Sequence, residues 1–80
     1  MPNNGGVRLD TALRSKLQHC PRCQADREWL RIHTRRHGKL AHISCGSCGF
    51  GDSAFPVETL IVNLDEGDAR PLAVDAWNDQ

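Results

Sequence analysis

Cys20-Pro-Arg-Cys23 and Cys45-Gly-Ser-Cys48 are the two stretches that decide this fold. Two residues between cysteines let one tight turn aim both sulfurs at a single ion, with backbone N–H groups facing the thiolates. Twenty-one residues separate the pairs, enough for a hairpin that brings one turn against the other. Together the turns complete a tetrahedron of four thiolates, the donor set of a structural zinc site. Gly46 and Gly49 suit the crowded or left-handed backbone of the second turn. Pro21 stiffens the first, and Gln24 stands where a glycine is expected. A closed set of four thiolates leaves no open coordination position, so the expected metal is structural and the chain is not expected to be an enzyme. No carboxylate pair, nucleophile–base pair or phosphate loop stands elsewhere in the sequence.

The rest of the composition agrees with a domain that needs a metal. Eighty residues make one small unit, with only Trp29, Phe50, Phe55 and Trp77 as aromatics. A chain of this length buries roughly 60–65% of its unfolded surface, which leaves a marginal apolar core. Zinc binding, on the order of 10–16 kcal/mol in small peptides, exceeds what such a core supplies. The formal net charge is zero, yet residues 1–50 hold nine basic and three acidic side chains, and residues 51–80 hold one basic and seven acidic. That split either presents a basic face to a phosphate backbone or acidic partner, or lets the two halves complement each other. The start, MPNNGGVRLD, lacks a signal-peptide pattern, and the longest aliphatic run is Leu60-Ile61-Val62. A cytoplasmic location with no membrane contact is expected, and there paired cysteines serve metals more often than disulfides.

Outward from the knuckles, hydrophobic spacing predicts the elements. Met1–Gly6 reads as a disordered tip and 7–80 as a single zinc-ribbon domain. Leu9, Leu13 and Leu17 predict an amphipathic helix of about two to three turns. Glu28–Arg35 alternates, with Leu30, Ile32 and Thr34 on one face and Trp29, Arg31, His33 and Arg35 on the other. Lys39–Ser44 alternates again after Arg36-His37-Gly38, which predicts a β-hairpin. Gly49–Pro56 is a candidate third strand. Val57, Leu60, Ile61 and Leu64 favour a helix by spacing, although Thr59, Ile61 and Val62 would also suit a strand. Asp65–Arg70 reads as a polar loop. A closing helix follows, with Pro71 in its first turn and Asp68 available as a cap. The expected fold class is a small α+β zinc ribbon: a β-hairpin plus a third strand, flanked by short N- and C-terminal helices.

Other groups carry weaker signals. A redox role for Cys20-Pro-Arg-Cys23 would need a βαβ context that this chain is too short to supply. His33 and His37 have finger-helix spacing but sit on the hairpin, so they read as solvated side chains. His19 could donate to a thiolate, though a surface placement is favoured. Arg22, Arg27, Arg31, Arg35, Arg36 and Lys39 crowd the first knuckle and the hairpin, a candidate partner or nucleic-acid surface. Trp29 shares that face, as in single-strand binders. The plainer reading, a solvated face with Trp29 folded back on the terminal helix, is preferred.

Cys20-Pro-Arg-Cys23, Ser44-Cys45-Gly-Ser-Cys48-Gly49 and Ala73-Val-Asp-Ala-Trp77-Asn78 resemble the Lar-like restriction-alleviation family of small phage and prophage zinc-ribbon proteins. The resemblance covers residues 20–78 and rests on about a dozen positions; the Ala-Trp-Asn ending is its most specific part. It implies that the four cysteines hold zinc and that Trp77 packs under the ribbon. It also implies a regulatory role in which the chain contacts and modulates a host restriction–modification protein. The alternative is a nucleic-acid-binding module acting through the basic hairpin. Gln24, the stretch Val57–Arg70 and the added N-terminal helix depart from the family pattern, which bears on partner surfaces more than on the fold.

Overall fold

A computed structural model describes residues 7–8, 11–52 and 55–80. In chain order the elements are β1 (Val7–Arg8), α1 (Thr11–Arg14), β2 (Leu30–Arg35), β3 (Leu40–Cys45), β4 (Val62–Asn63) and α2 (Arg70–Asn78), with 3₁₀ turns at Arg27–Trp29 and Glu58–Leu60. The strands form one antiparallel sheet in the order β1-β2-β3-β4. The predicted disordered tip lies outside the described residues.

The alternation in the sequence becomes the two faces of the β2–β3 hairpin. Leu30 pairs with Cys45 and Ile32 with Ile43, so one face carries Leu30, Ile32, Ala41, Ile43 and Cys45, all buried. The other carries Arg31 opposite Ser44, His33 opposite His42 and Arg35 opposite Leu40. The connecting turn uses Arg36 and His37 at φ 56° and 57°, a pair of positive values like those of a type I′ turn, which matches the strand twist. Helix α2 closes the apolar face, packing mainly on β3 through Ala73, Val74 and Trp77. Pro71 lies in its first turn. The N-cap is Ala69 rather than Asp68; Asp68, one residue earlier, accepts the Arg70 amide with Oδ1 at 3.0 Å and grips the Arg70 guanidinium at 2.7 Å. Hydrogen bonds from Arg70 bring the Asp68 carboxyl down to about 2.

Three expectations need correction. Gly49–Pro56 is not the third strand: its described residues form turns and bends, with Gly49 and Gly51 both at φ 85°. The strand beside β3 is instead β4, inside the segment whose spacing favoured a helix. There the exposed edge of β3 offers backbone partners, pairing Ala41 with Val62 and Leu40 with Asn63. Edge pairing suits β-branched Val62 better than a helix does, and only one 3₁₀ turn remains to bury Leu60. The N-terminal helix is a single turn rather than two or three. Its continuation is pre-empted because Lys16 and Gln18 give their backbone groups to Asn78 and Trp77. Leu17 is still buried, while Leu9 lies outside the described residues. The β1–β2 pairing has no counterpart in the sequence reading.

Candidate metal centre

Two knuckles of the same design face each other at the end of the hairpin. In the first, the Gln24 amide donates to the Cys20 carbonyl at 2.9 Å and the Cys20 amide donates to Ala25 at 3.2 Å. In the second, Gly49 donates to Cys45 at 2.9 Å and Cys45 donates to Phe50 at 2.9 Å. The same four-residue and five-residue closures thus repeat around each C-x-x-C. The hairpin brings the knuckles together: Cys45 ends β3 opposite Leu30, and Gly46 donates to the Trp29 carbonyl at 2.7 Å.

The four sulfurs converge. Cys20 and Cys48 stand 3.6 Å apart, Cys23 and Cys45 3.7 Å, and all four sulfurs lie within 4.8 Å of one another. These separations are far too long for a disulfide bond. A regular tetrahedron with metal–sulfur bonds of about 2.3 Å has sulfurs about 3.8 Å apart, so the cluster has the dimensions of a four-thiolate metal site. Backbone amides of Ala25, Ser47, Cys48 and Phe50 hydrogen-bond to these sulfurs, the Ser47 amide reaching Cys45 Sγ at 3.4 Å. Cys20 and Cys45 are buried, Cys48 is half-buried and Cys23 is exposed.

The electrostatics bear on how this cluster would take up a cation. Burial pushes the Cys45 thiol up to about 12 and raises Cys48 as well. At Cys23 burial acts in the same direction, but hydrogen bonds from Ala25 and the neighbouring thiols outweigh it and bring the group to about 7. Four thiolates this close repel one another unless a divalent ion offsets their charge, and its binding displaces the protons of the thiols. The four cysteines are therefore positioned to bind one metal ion, in a closed set with no open position for substrate.

The C-terminal helix holds the first knuckle in place. Trp77 is fully buried; its Nε1–H donates to the Gln18 carbonyl at 3.1 Å, and Gln18 Nε2 donates back to the Trp77 carbonyl at 3.0 Å. Asn78 brackets the same segment, accepting the Gln18 amide at 2.8 Å and donating to the Lys16 carbonyl at 2.7 Å. Phe50, just past the second knuckle, meets the Trp77 ring edge-on at 5.7 Å. The bond pattern of Gln18 and Asn78 was not foreseen; the adjacent Trp-Asn pair was its one sequence signal.

The basic residues do not form one patch. Arg22 stacks over Phe55 at 4.4 Å, and Arg27 Nε donates to the Leu17 carbonyl at 2.7 Å, both near the first knuckle. Arg36 bonds Asn63 Oδ1 at the hairpin turn, where Lys39 also lies. Arg31 and Arg35 share the polar sheet face. Trp29 remains 52% exposed at the end of that face, where its ring lies 3.8 Å from the position a Gly46 Cβ would take. It is thus not covered by the terminal helix, as the plainer reading expected.

Two histidines lie apart and two are paired. His19 is exposed, 3.7 Å from Asp26, and His37 lies in the turn. His33 and His42 stack face to face, 4.5 Å between centroids and 4° between planes, with His33 Nε2 2.8 Å from Ser44 Oγ. Parallel rings do not converge their nitrogens on one ion, and the His pair offers no second metal site. Counting outward from the hairpin turn would have revealed this cross-strand pair. Among the described residues, no helix is long and apolar enough to cross a membrane. No protein-family model, curated protein or solved structure matches the chain.

Proposed function

We propose that this chain is a small zinc-binding regulatory protein that works by contact rather than catalysis, modulating a host restriction–modification enzyme as its Lar-like resemblance implies. The observation that carries the reading is the clamp of Trp77 and Asn78 on residues 16–18. The most specific residues of the resemblance have a defined task here, tying the closing helix to the strand of chain that enters the first knuckle. The closed tetrahedron supports the same reading, since its metal fixes a surface and offers no site to a substrate. Zinc is the assignment because four thiolates at these separations match its usual structural coordination.

The test is restriction of unmodified phage in a host carrying a type I system. Expression of the chain should raise plating efficiency, and Cys45→Ser should abolish the effect. Unchanged plating in every type I host tried, with folded, metal-loaded protein present, overturns the restriction reading and leaves the metal centre intact.

A further inference from the structure

The face of the β2–β3 hairpin turned away from α2 has an arrangement that a structural role does not require. Helix α2 closes the apolar side, so the opposite side keeps Arg31, His33 and Arg35 along β2, with Trp29 just before them at the end of the 3₁₀ turn. Their neighbours on β3 are Ser44, His42 and Leu40, none of them acidic, while Asp52, Pro56, Val57 and Ile61 of the following segment border the His33, Arg35 and His42 end of the face. The close ion pairs among the described residues are His19–Asp26 and Arg70–Asp68, and neither draws on this face.

The members differ in how they are held: His33 is half-buried against His42, Arg31 is partly exposed, and Arg35 and Trp29 are exposed. Arg31 Nη1 donates to the carbonyls of Glu28 at 2.6 Å and Leu30 at 3.0 Å, which fixes the guanidinium, and its other N–H donors make no further hydrogen bond among the described residues. The Arg35 side chain is exposed and makes no hydrogen bond or ion pair among the described residues. Trp29 is half-exposed, its ring set beside Gly46 of the rigid second knuckle. Holding an indole and a guanidinium in place beforehand lowers the ordering penalty of binding. Asp52 lies near both His33 and His42 and marks the acidic edge of the face.

We propose that this face, with Trp29 as a stacking platform and Arg31 and Arg35 as phosphate contacts, docks a single-stranded nucleic acid. Same-face residues of a strand lie about 6.6 Å apart, so Arg31 and Arg35 stand about 13 Å apart. One anionic group cannot bridge that gap, whereas a nucleic-acid backbone supplies charges along it. Two cations alone would serve an acidic peptide equally well. Trp29 decides between them: an exposed indole in line with the cations offers a surface to an unpaired base, and bases in a duplex are already stacked on each other. The proposal stands independently of the restriction–modification reading.

The experiment is fluorescence anisotropy of a labelled oligodeoxythymidylate titrated with the full, zinc-loaded chain at low salt. Binding should weaken steeply as salt rises. Trp29→Ala should weaken it by at least about fivefold, the lower end of one base-stacking contact. Arg31→Glu with Arg35→Glu should weaken it by more than about tenfold and reduce the logarithmic salt slope by about two. Lys16→Glu, a charge change off this face, should have the smallest effect. Zinc content and circular dichroism check that each variant is folded. Absence of binding at low salt, or folded Trp29 and arginine variants that bind like the parent, overturns the proposal. Equal affinity for a polyglutamate, with the same loss in the arginine variants, overturns it in favour of an acidic protein partner. Equal affinity for a duplex, unaffected by Trp29→Ala, removes the single-strand specificity.

Discussion

Gln24 and Gly49 occupy equivalent places in the two knuckles. Each donates its amide to the carbonyl of the cysteine four residues before it, both at 2.9 Å, and each has a positive φ, 63° at Gln24 and 85° at Gly49. The first knuckle thus asks an L-residue to adopt the left-handed conformation that the second assigns to glycine, at a penalty on the order of 1–2 kcal/mol.

Gln24→Gly should therefore stabilise the domain, by up to about 1 kcal/mol once the extra freedom of glycine in the unfolded chain is offset. Gly49→Ala should destabilise it by about 1 kcal/mol, through backbone strain alone, because no atom lies within 4 Å of the added methyl. Urea unfolding at saturating zinc measures both. A neutral Gly49→Ala would show that the second knuckle does not hold this conformation in solution.

Gly51 has the same φ but no room. A Cβ there would sit 2.7 Å from the Ile43 carbonyl oxygen and 2.8 Å from Leu60 Cδ1. Gly51→Ala should destabilise by several kcal/mol, roughly 2–4, adding overpacking to strain. Thermal melts beside Gly49→Ala, where strain acts without a clash, separate the two effects.

Trp77→Ala should remove about 3–5 kcal/mol and leave the domain largely unfolded even with zinc present. Trp77→Phe should keep most of the packing and lose the hydrogen bond to Gln18, at about 1 kcal/mol. Denaturant midpoints of the two variants give the division between ring burial and hydrogen bond.

Removal of the metal should unfold the chain. Native mass spectrometry should find one zinc per chain, and chelation should abolish the folded circular-dichroism signal. Cys45→Ser should act like chelation, because Cys45 both ends β3 and supplies a buried sulfur. A folded, metal-free chain with intact thiols would overturn the metal reading.

The stacked His33 and His42 should make stability depend on pH below neutrality. Burial lowers both from their usual 6.5; His33 and Arg35 lower His42 further, Arg35 also lowers His33, and Asp52 opposes the shift in both. His42 Nδ1 is enclosed without a partner among the described residues, so a proton there would lack an acceptor among them. Because the folded pKa values lie below the unfolded ones, the unfolded chain binds protons first as pH falls. The pair's contribution is complete above about 6.5 and is lost as pH drops from there through the folded values. Urea midpoints from pH 7 downward should fall less steeply in His33→Thr/His42→Thr than in the parent, both sharing the proton sensitivity of the thiolates.

Local chemistry made several features legible in the sequence. C-x-x-C spacing fixes how two sulfurs can point, so the cluster of Cys20, Cys23, Cys45 and Cys48 followed from four residues and a count. The period of two in Glu28–Arg35 and Lys39–Ser44 separated the two faces of the hairpin, because successive side chains must point to opposite sides; the strands themselves run over Leu30–Arg35 and Leu40–Cys45, and Thr34 at the end of the Leu30–Ile32 face is exposed. Even the anomaly at Gln24 was visible, since a knuckle needs a positive φ at that place.

Tertiary contacts decided the rest. Val57–Leu64 carries apolar spacing for a helix and β-branched residues for a strand, and the free edge of β3 settled the competition through backbone pairing to Val62 and Asn63. The stripe Leu9, Leu13, Leu17 predicts a longer helix than forms, because Asn78 and Trp77, some sixty residues away, take the backbone groups of residues 16–18. A single helical turn is too short to hold itself against such partners. Periodicity reports which side of a segment is apolar. It does not report which distant donors and acceptors compete for its backbone, and only the assembled fold brings those within reach.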